Sequence, residues 1–153
     1  MTVSLSRLRL LYSKCEGRVK YRLGAKAPSL TADSNVITHI DCSGFLRWLL
    51  ARASDQTLRL PDGSVRQAAW CEQHLRRLEH PSDVAYARDD PGRLFIVFLR
   101  PSAIRPRSAG HVWLVCEGRT IESRGGVGVS SRAWDTSVLR DHASAAYEVP
   151  AGP

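Results

Sequence analysis

Residues 93–123 constrain the fold more than any other stretch of this chain. RLFIVFL, residues 93–99, is an uninterrupted apolar run rich in β-branched and aromatic side chains. That is the pattern of a strand buried on both faces. HVWLVCEGRTIES, residues 111–123, reads as two strands folded back at Glu117-Gly118. Strands at this spacing, preceded by helical patterns, predict helices packed on an antiparallel sheet, an α+β domain. The 153 residues fit one domain spanning 1–153.

Upstream, Leu5, Leu8, Leu11 and Tyr12 have helical spacing, which predicts a first helix within 4–20 that ends near Gly17. Residues 21–38 are rich in turn formers and predict irregular chain. Phe45, Trp48, Leu49 and Arg52 follow at i, i+3, i+4 and i+7, with Leu46 and Leu50 widening the apolar face. This predicts a largely buried helix. A third helix is expected over 64–79, with Ser64 as its N-cap and His80-Pro81 as its stop. RPSAIRPRSAG, 100–110, reads as a basic loop, RGGVGVSS as a glycine-rich loop or bent strand, and YEVP, 147–150, as a last short strand.

The buried helix begins at DCSG, residues 41–44. Cys42 there is either a packing residue or a nucleophile. Helix-start N–H groups and the helix dipole favour a thiolate. Asp41 or Ser43 can act at the cap. Gly44 leaves room for a substrate carbonyl, and the first amides can hold an oxyanion. A nucleophilic cysteine needs a base. Of the five histidines, His39 is too close in sequence, and His74, His80 and His142 sit in polar segments. His111 instead opens an apolar strand.

With a two-residue turn at Glu117-Gly118, side-chain alternation places His111, Trp113, Val115, Thr120 and Glu122 on one face. Glu122 then neighbours His111 diagonally and can orient its ring. A three-residue loop would bring Ser123 there instead.

Taken together, these residues resemble the NlpC/P60 family of papain-like cysteine peptidases. The segments that carry the resemblance are Tyr21-Arg22-Leu23-Gly24, Asp41-Cys42-Ser43-Gly44-Phe45, Pro91-Gly92-Arg93-Leu94-Phe95, Gly110-His111-Val112-Trp113-Leu114 and Glu122, over roughly residues 12–135. The resemblance implies helices on an antiparallel sheet, Cys42 as nucleophile, His111 as base, Tyr21 beside the oxyanion or substrate, and no metal or cofactor. It implies hydrolysis of an amide in a peptidoglycan stem peptide. Three departures stand out. Arg93 replaces an acidic residue. Trp113 replaces a glycine and is expected to narrow or reshape the groove, among the substrate-side residues with Tyr21, Asp41 and Ser43. The third polar residue is Glu122 or Ser123, where the family has His, Asn or Gln.

The net charge of +7 favours an anionic partner, such as a wall polymer. Nucleic acid is disfavoured because the aromatics lie in apolar runs and offer no stacking platform. No apolar run reaches the length of a membrane span. The N-terminus lacks the pattern of a secretory signal, so the expectation is synthesis in the cytoplasm and action on the wall after delivery. That would suit a phage lysis or tail enzyme, or an antibacterial effector with a delivery or immunity partner. A papain-like acyltransferase, an amidase on another substrate and an inactive basic binding module are the alternatives. The four cysteines are widely spaced without CxxC and are expected as free thiols. Cys71 and His74 alone are not a zinc motif.

Overall fold

The computed structural model describes residues 1–87, 90–100, 110–134 and 141–153. Most of the basic loop at 100–110 lies outside the described residues. Among the described residues, three α-helices pack on a six-stranded sheet whose neighbouring strands are all antiparallel. The α+β class read from the sequence is the class observed.

Helix α1, Leu5–Cys15, is capped by Ser4, whose hydroxyl accepts from the Arg7 amide. It buries Leu5, Leu8 and Leu11, as their spacing predicts, and Cys15 beyond them, while Tyr12 is only partly buried. Helix α2, Cys42–Ala53, is buried except at Cys42, Arg47 and Arg52. Helix α3 is shorter than expected. It spans Ser64–His74, and its N-cap is Gly63 at φ 85°, with no side-chain cap. Ser64 is therefore the first helical residue, not the cap. The helix stops early because Leu75 turns extended, which frees Arg76–Arg77 to pair with Glu148 and Tyr147 as an edge strand. Leu78 is thereby buried in the core beyond the sheet.

The short strands at the two ends, β1 (Val3–Ser4) and β8 (Ala151–Gly152), pair in parallel. The main sheet runs β2 (Arg76–Arg77), β7 (Ala145–Val149), β3 (Leu94–Leu99), β4 (His111–Cys116), β5 (Arg119–Arg124) and β6 (Gly128–Ser130) in spatial order. Strand β3 is central, and its continuous apolar run follows from that. Leu94, Ile96 and Phe98 face the core under α1 and α2. Phe95 and Val97 face a second core with Trp113, Val115 and Trp134. Arg93 pairs with Glu148 at 2.7 Å and lies over the Phe95 ring.

The β4–β5 hairpin turns at Glu117 (φ 52°) and Gly118 (φ 71°). Two positive φ angles define the turn type whose twist suits a two-residue hairpin. Cys116 pairs with Arg119, Val115 with Thr120 and Leu114 with Ile121. This is the register that alternation from a two-residue turn requires. It places Glu122, not Ser123, on the His111 face. Ser123 points the other way and donates to the Ile40 carbonyl at 2.8 Å.

Candidate active site

The start of α2 is held by a dense polar knot. Asp41 is the N-cap, and its Oδ1 accepts from the Gly44 amide at 2.7 Å. Its Oδ2 accepts from the Gly24 amide at 3.1 Å. Lys26 donates to both Asp41 oxygens at 2.8 and 2.7 Å, to Ser43 Oγ at 3.1 Å, and pairs with Asp62 at 3.1 Å. Gln67 of α3 reaches in behind and donates to the Ser43 carbonyl at 2.9 Å. Gly44 has a local reason. A Cβ there would stand 2.8 Å from Lys26 Cδ, 2.9 Å from Asp41 Oδ1 and 3.1 Å from the Ala25 carbonyl. The glycine makes room for this knot rather than for a substrate carbonyl.

These bonds redefine two expected substrate-side residues. Asp41 and Ser43 are buried, and their side chains are taken up by Lys26 and the helix cap. They fix the position of Cys42, which remains partly exposed at the first turn. Among the described residues, no acceptor is bonded to the Cys42 or Ser43 N–H, so both are available at the positive end of the helix. The segment before the knot is anchored by a bridge between Lys20 and His39 and by Ile40 N–H donating to the Lys20 carbonyl at 2.9 Å. This places Tyr21 beside the thiol. Burial raises the Tyr21 phenol above its ordinary range, and the nearby Cys42 and Asp41 charges add to that.

His111 approaches Cys42 from the sheet, and the two side chains interact. Its Nε2 lies 2.6 Å from Glu122 Oε2. With Nε2 so occupied, Nδ1 is the nitrogen left for the thiol. Burial pushes the imidazole towards its neutral form, but interaction with Cys42 and the bond to Glu122 outweigh it and hold His111 at about 9. Glu122 is fully buried, which alone would raise its carboxyl. The His111 and Arg132 bonds dominate and hold it at about 2.

Trp113 is not in the groove. It is 0 % exposed, and its indole stacks beneath the His111 ring at 5.4 Å between centroids. The strand parity that aims His111 at Glu122 buries Trp113 in the second core, where it meets Trp134. Trp113 therefore supports the imidazole and cannot narrow the groove.

Three residues of the site were not singled out from sequence: Lys26, Gln67 and Arg132. Lys26 is one of only three lysines in the chain, yet nothing local ties it to Asp41. Arg132 donates to both Glu122 oxygens, at 2.7 Å from Nε and 3.2 Å from the guanidinium terminus. The other histidines stand apart. His74, His80 and His142 are exposed, and His39 bonds Thr38. All four cysteines are free thiols. Cys71 is fully buried and pushed up to about 12 by burial, while His74 stacks on Trp70.

No family model matches the chain, and no curated protein matches it by sequence. Solved structures do match. A lipoprotein-like protein of the NLP/P60 family from Staphylococcus aureus subsp. aureus Mu50 superposes with a TM-score of 0.61 at 19% identity, over 95% of this chain and 41% of that one. The P60 domain of an antigen from M. avium subspecies paratuberculosis superposes with a TM-score of 0.56 at 19% identity, over 95% of this chain and 92% of the domain. The fold is NlpC/P60-like. The chain thus spans less than half of the staphylococcal protein and nearly all of the mycobacterial domain. Among the described residues no helix is long and apolar enough to cross a membrane.

Proposed function

We propose that this NlpC/P60-like domain is a cysteine hydrolase that cuts an amide in peptidoglycan stem peptides. Cys42 is the nucleophile, His111 the general acid and base, and Glu122 the group that orients the imidazole. The observation that supports this most is the buried Glu122 carboxylate 2.6 Å from His111 Nε2, which leaves Nδ1 for the thiol. His111 holds its proton at neutral pH, and a protonated imidazole beside a cysteine favours the reactive thiolate.

The Cys42 sulfur attacks the amide carbon, and the carbonyl electron pair moves onto oxygen. That oxyanion faces the Cys42 and Ser43 N–H groups, with Tyr21 alongside. On collapse the C–N bond breaks, and His111 gives its proton to the departing amine. A thioester remains. Water then attacks, His111 takes its proton, the C–S bond breaks, and the peptide carboxylate leaves. The +7 charge suits an anionic wall. It also suits the more specific role of a lysis enzyme or delivered antibacterial effector.

Digestion of purified peptidoglycan by wild type and Cys42→Ala, with products read by mass spectrometry, tests the reading. New fragments from wild type alone are expected, and their masses name the bond. An unchanged muropeptide pool with both proteins sinks it.

A further inference from the structure

The third member of the site is a buried carboxylate, and it is shared. Glu122 accepts four hydrogen bonds: from His111, from two nitrogens of Arg132 and from Thr120 Oγ at 2.8 Å. Four acceptor positions are all that a carboxylate offers. Arg132 is not a chance visitor. Its backbone N–H donates to Thr120 Oγ at 3.0 Å, and its carbonyl accepts from the Thr120 N–H at 2.8 Å. The sheet therefore delivers the guanidinium to Glu122 from the edge beyond β6, and its side chain is 32% exposed, against 0% for Glu122.

The physical problem is proton return. A lone carboxylate bonded to imidazolium in a buried site raises the proton affinity of the imidazole and weakens the drive to return the proton to a leaving amine. A second cation on the same carboxylate weakens that hold.

We propose that Arg132 is a positioning residue that divides the Glu122 charge between two cations and so eases return of the His111 proton to the leaving group. This rests on the catalytic reading above. Among the described residues, the charged and titratable groups around His111 are Cys42 from α2, Glu122 from β5 and Arg132 from beyond β6, with Tyr21 near Cys42. Of these, Arg132 alone is a permanent cation bonded to Glu122. Its side chain reaches solvent, so it can be changed without opening the core.

The test is an NMR titration of ring-labelled histidine in the whole chain, paired with the pH profile of Cys42 alkylation by iodoacetamide. Wild type, Arg132→Gln, Arg132→Lys and Glu122→Gln are compared. Arg132→Gln should raise the proton affinity of His111 about tenfold and carry the alkylation profile with it. Arg132→Lys, which keeps the charge, should restore most of the wild-type midpoint. Glu122→Gln should move His111 in the opposite direction. A lower melting temperature for Arg132→Gln with an unmoved or lowered His111 midpoint would overturn the proposal and leave Arg132 a structural residue. Neither readout uses peptidoglycan. Failure of the hydrolase reading would appear instead as a normal titration series with no muropeptide cleaved.

Discussion

The two sides of the site are built from different materials. On the helix side, Asp41, Lys26, Ser43 and Asp62 spend their charges and hydrogen bonds on backbone and on one another. Nothing there needs to gain or lose a proton for Cys42 to stay in place. On the strand side, His111, Glu122 and Arg132 form a chain of charge that ends on the thiol. The helix side sets where the sulfur is, and the strand side sets where the proton is. Damage to the first should therefore read out as stability, and damage to the second as pH dependence.

The largest stability effect belongs to Asp41→Ala. It removes the α2 cap, worth about 1 kcal/mol, and strands the half-buried Lys26 without its main partner. A loss of about 3 kcal/mol in denaturant unfolding is expected. Glu122→Gln should act in the other way. Its turnover should fall by about 100-fold, and its loss of stability should be confined to the pH window in which the His111–Glu122 pair is charged. If both variants lost stability alike with unchanged pH profiles, the division between the two sides would be gone.

The pH dependence of stability follows from the strand side. His111 is held at about 9 against an ordinary 6.5. Its contribution is complete below pH 6.5 and is lost as pH rises through 9. Glu122 is held at about 2 against an ordinary 4.5, so its contribution is complete above pH 4.5 and is lost as pH falls through 2. Thermal melts should show a plateau between those limits and a fall on either side. In Glu122→Gln the acid fall should shrink, and the alkaline fall should begin at lower pH. Identical melting profiles for the two proteins would mean the pair contributes nothing.

What the sequence made legible divides along the same line. The hairpin register could be read because side-chain alternation is strict and Glu117-Gly118 fixes the count. That alone brings Glu122 to His111 and sends Ser123 to Ile40. The central strand and buried helix could be read because each is apolar at every position its burial demands. The end of α3 could not, since Arg76–Arg77 becomes a strand only because Glu148 and Tyr147 lie beside it, 70 or so residues later. Trp113 looked like a groove residue because its position was compared with a small one. The second core that takes it in is assembled from Trp134, Phe95 and Val97, which no local pattern links to it. Lys26 and Arg132 were missed for the same reason. An ion pair formed through tertiary contact leaves no periodic trace in the chain.

The smallest expected effect sharpens the comparison most. Ser43 sits next to the nucleophile, where a substrate contact would be natural, yet its hydroxyl bonds Lys26 at 3.1 Å and Asp41 at 3.3 Å and is buried. Ser43→Ala deletes two hydrogen bonds inside the knot and leaves the Asp41–Lys26 pair and the Gly44 cap in place. The cost should be about 1 kcal/mol. The Ser43 amide, which points out of the helix start, is unchanged by the substitution. The rate of Cys42 alkylation and its pH profile should therefore stay as in wild type, and KM for a muropeptide substrate should not move. A several-fold rise in KM at full stability would place the hydroxyl on the substrate and make the helix side part of recognition as well as support.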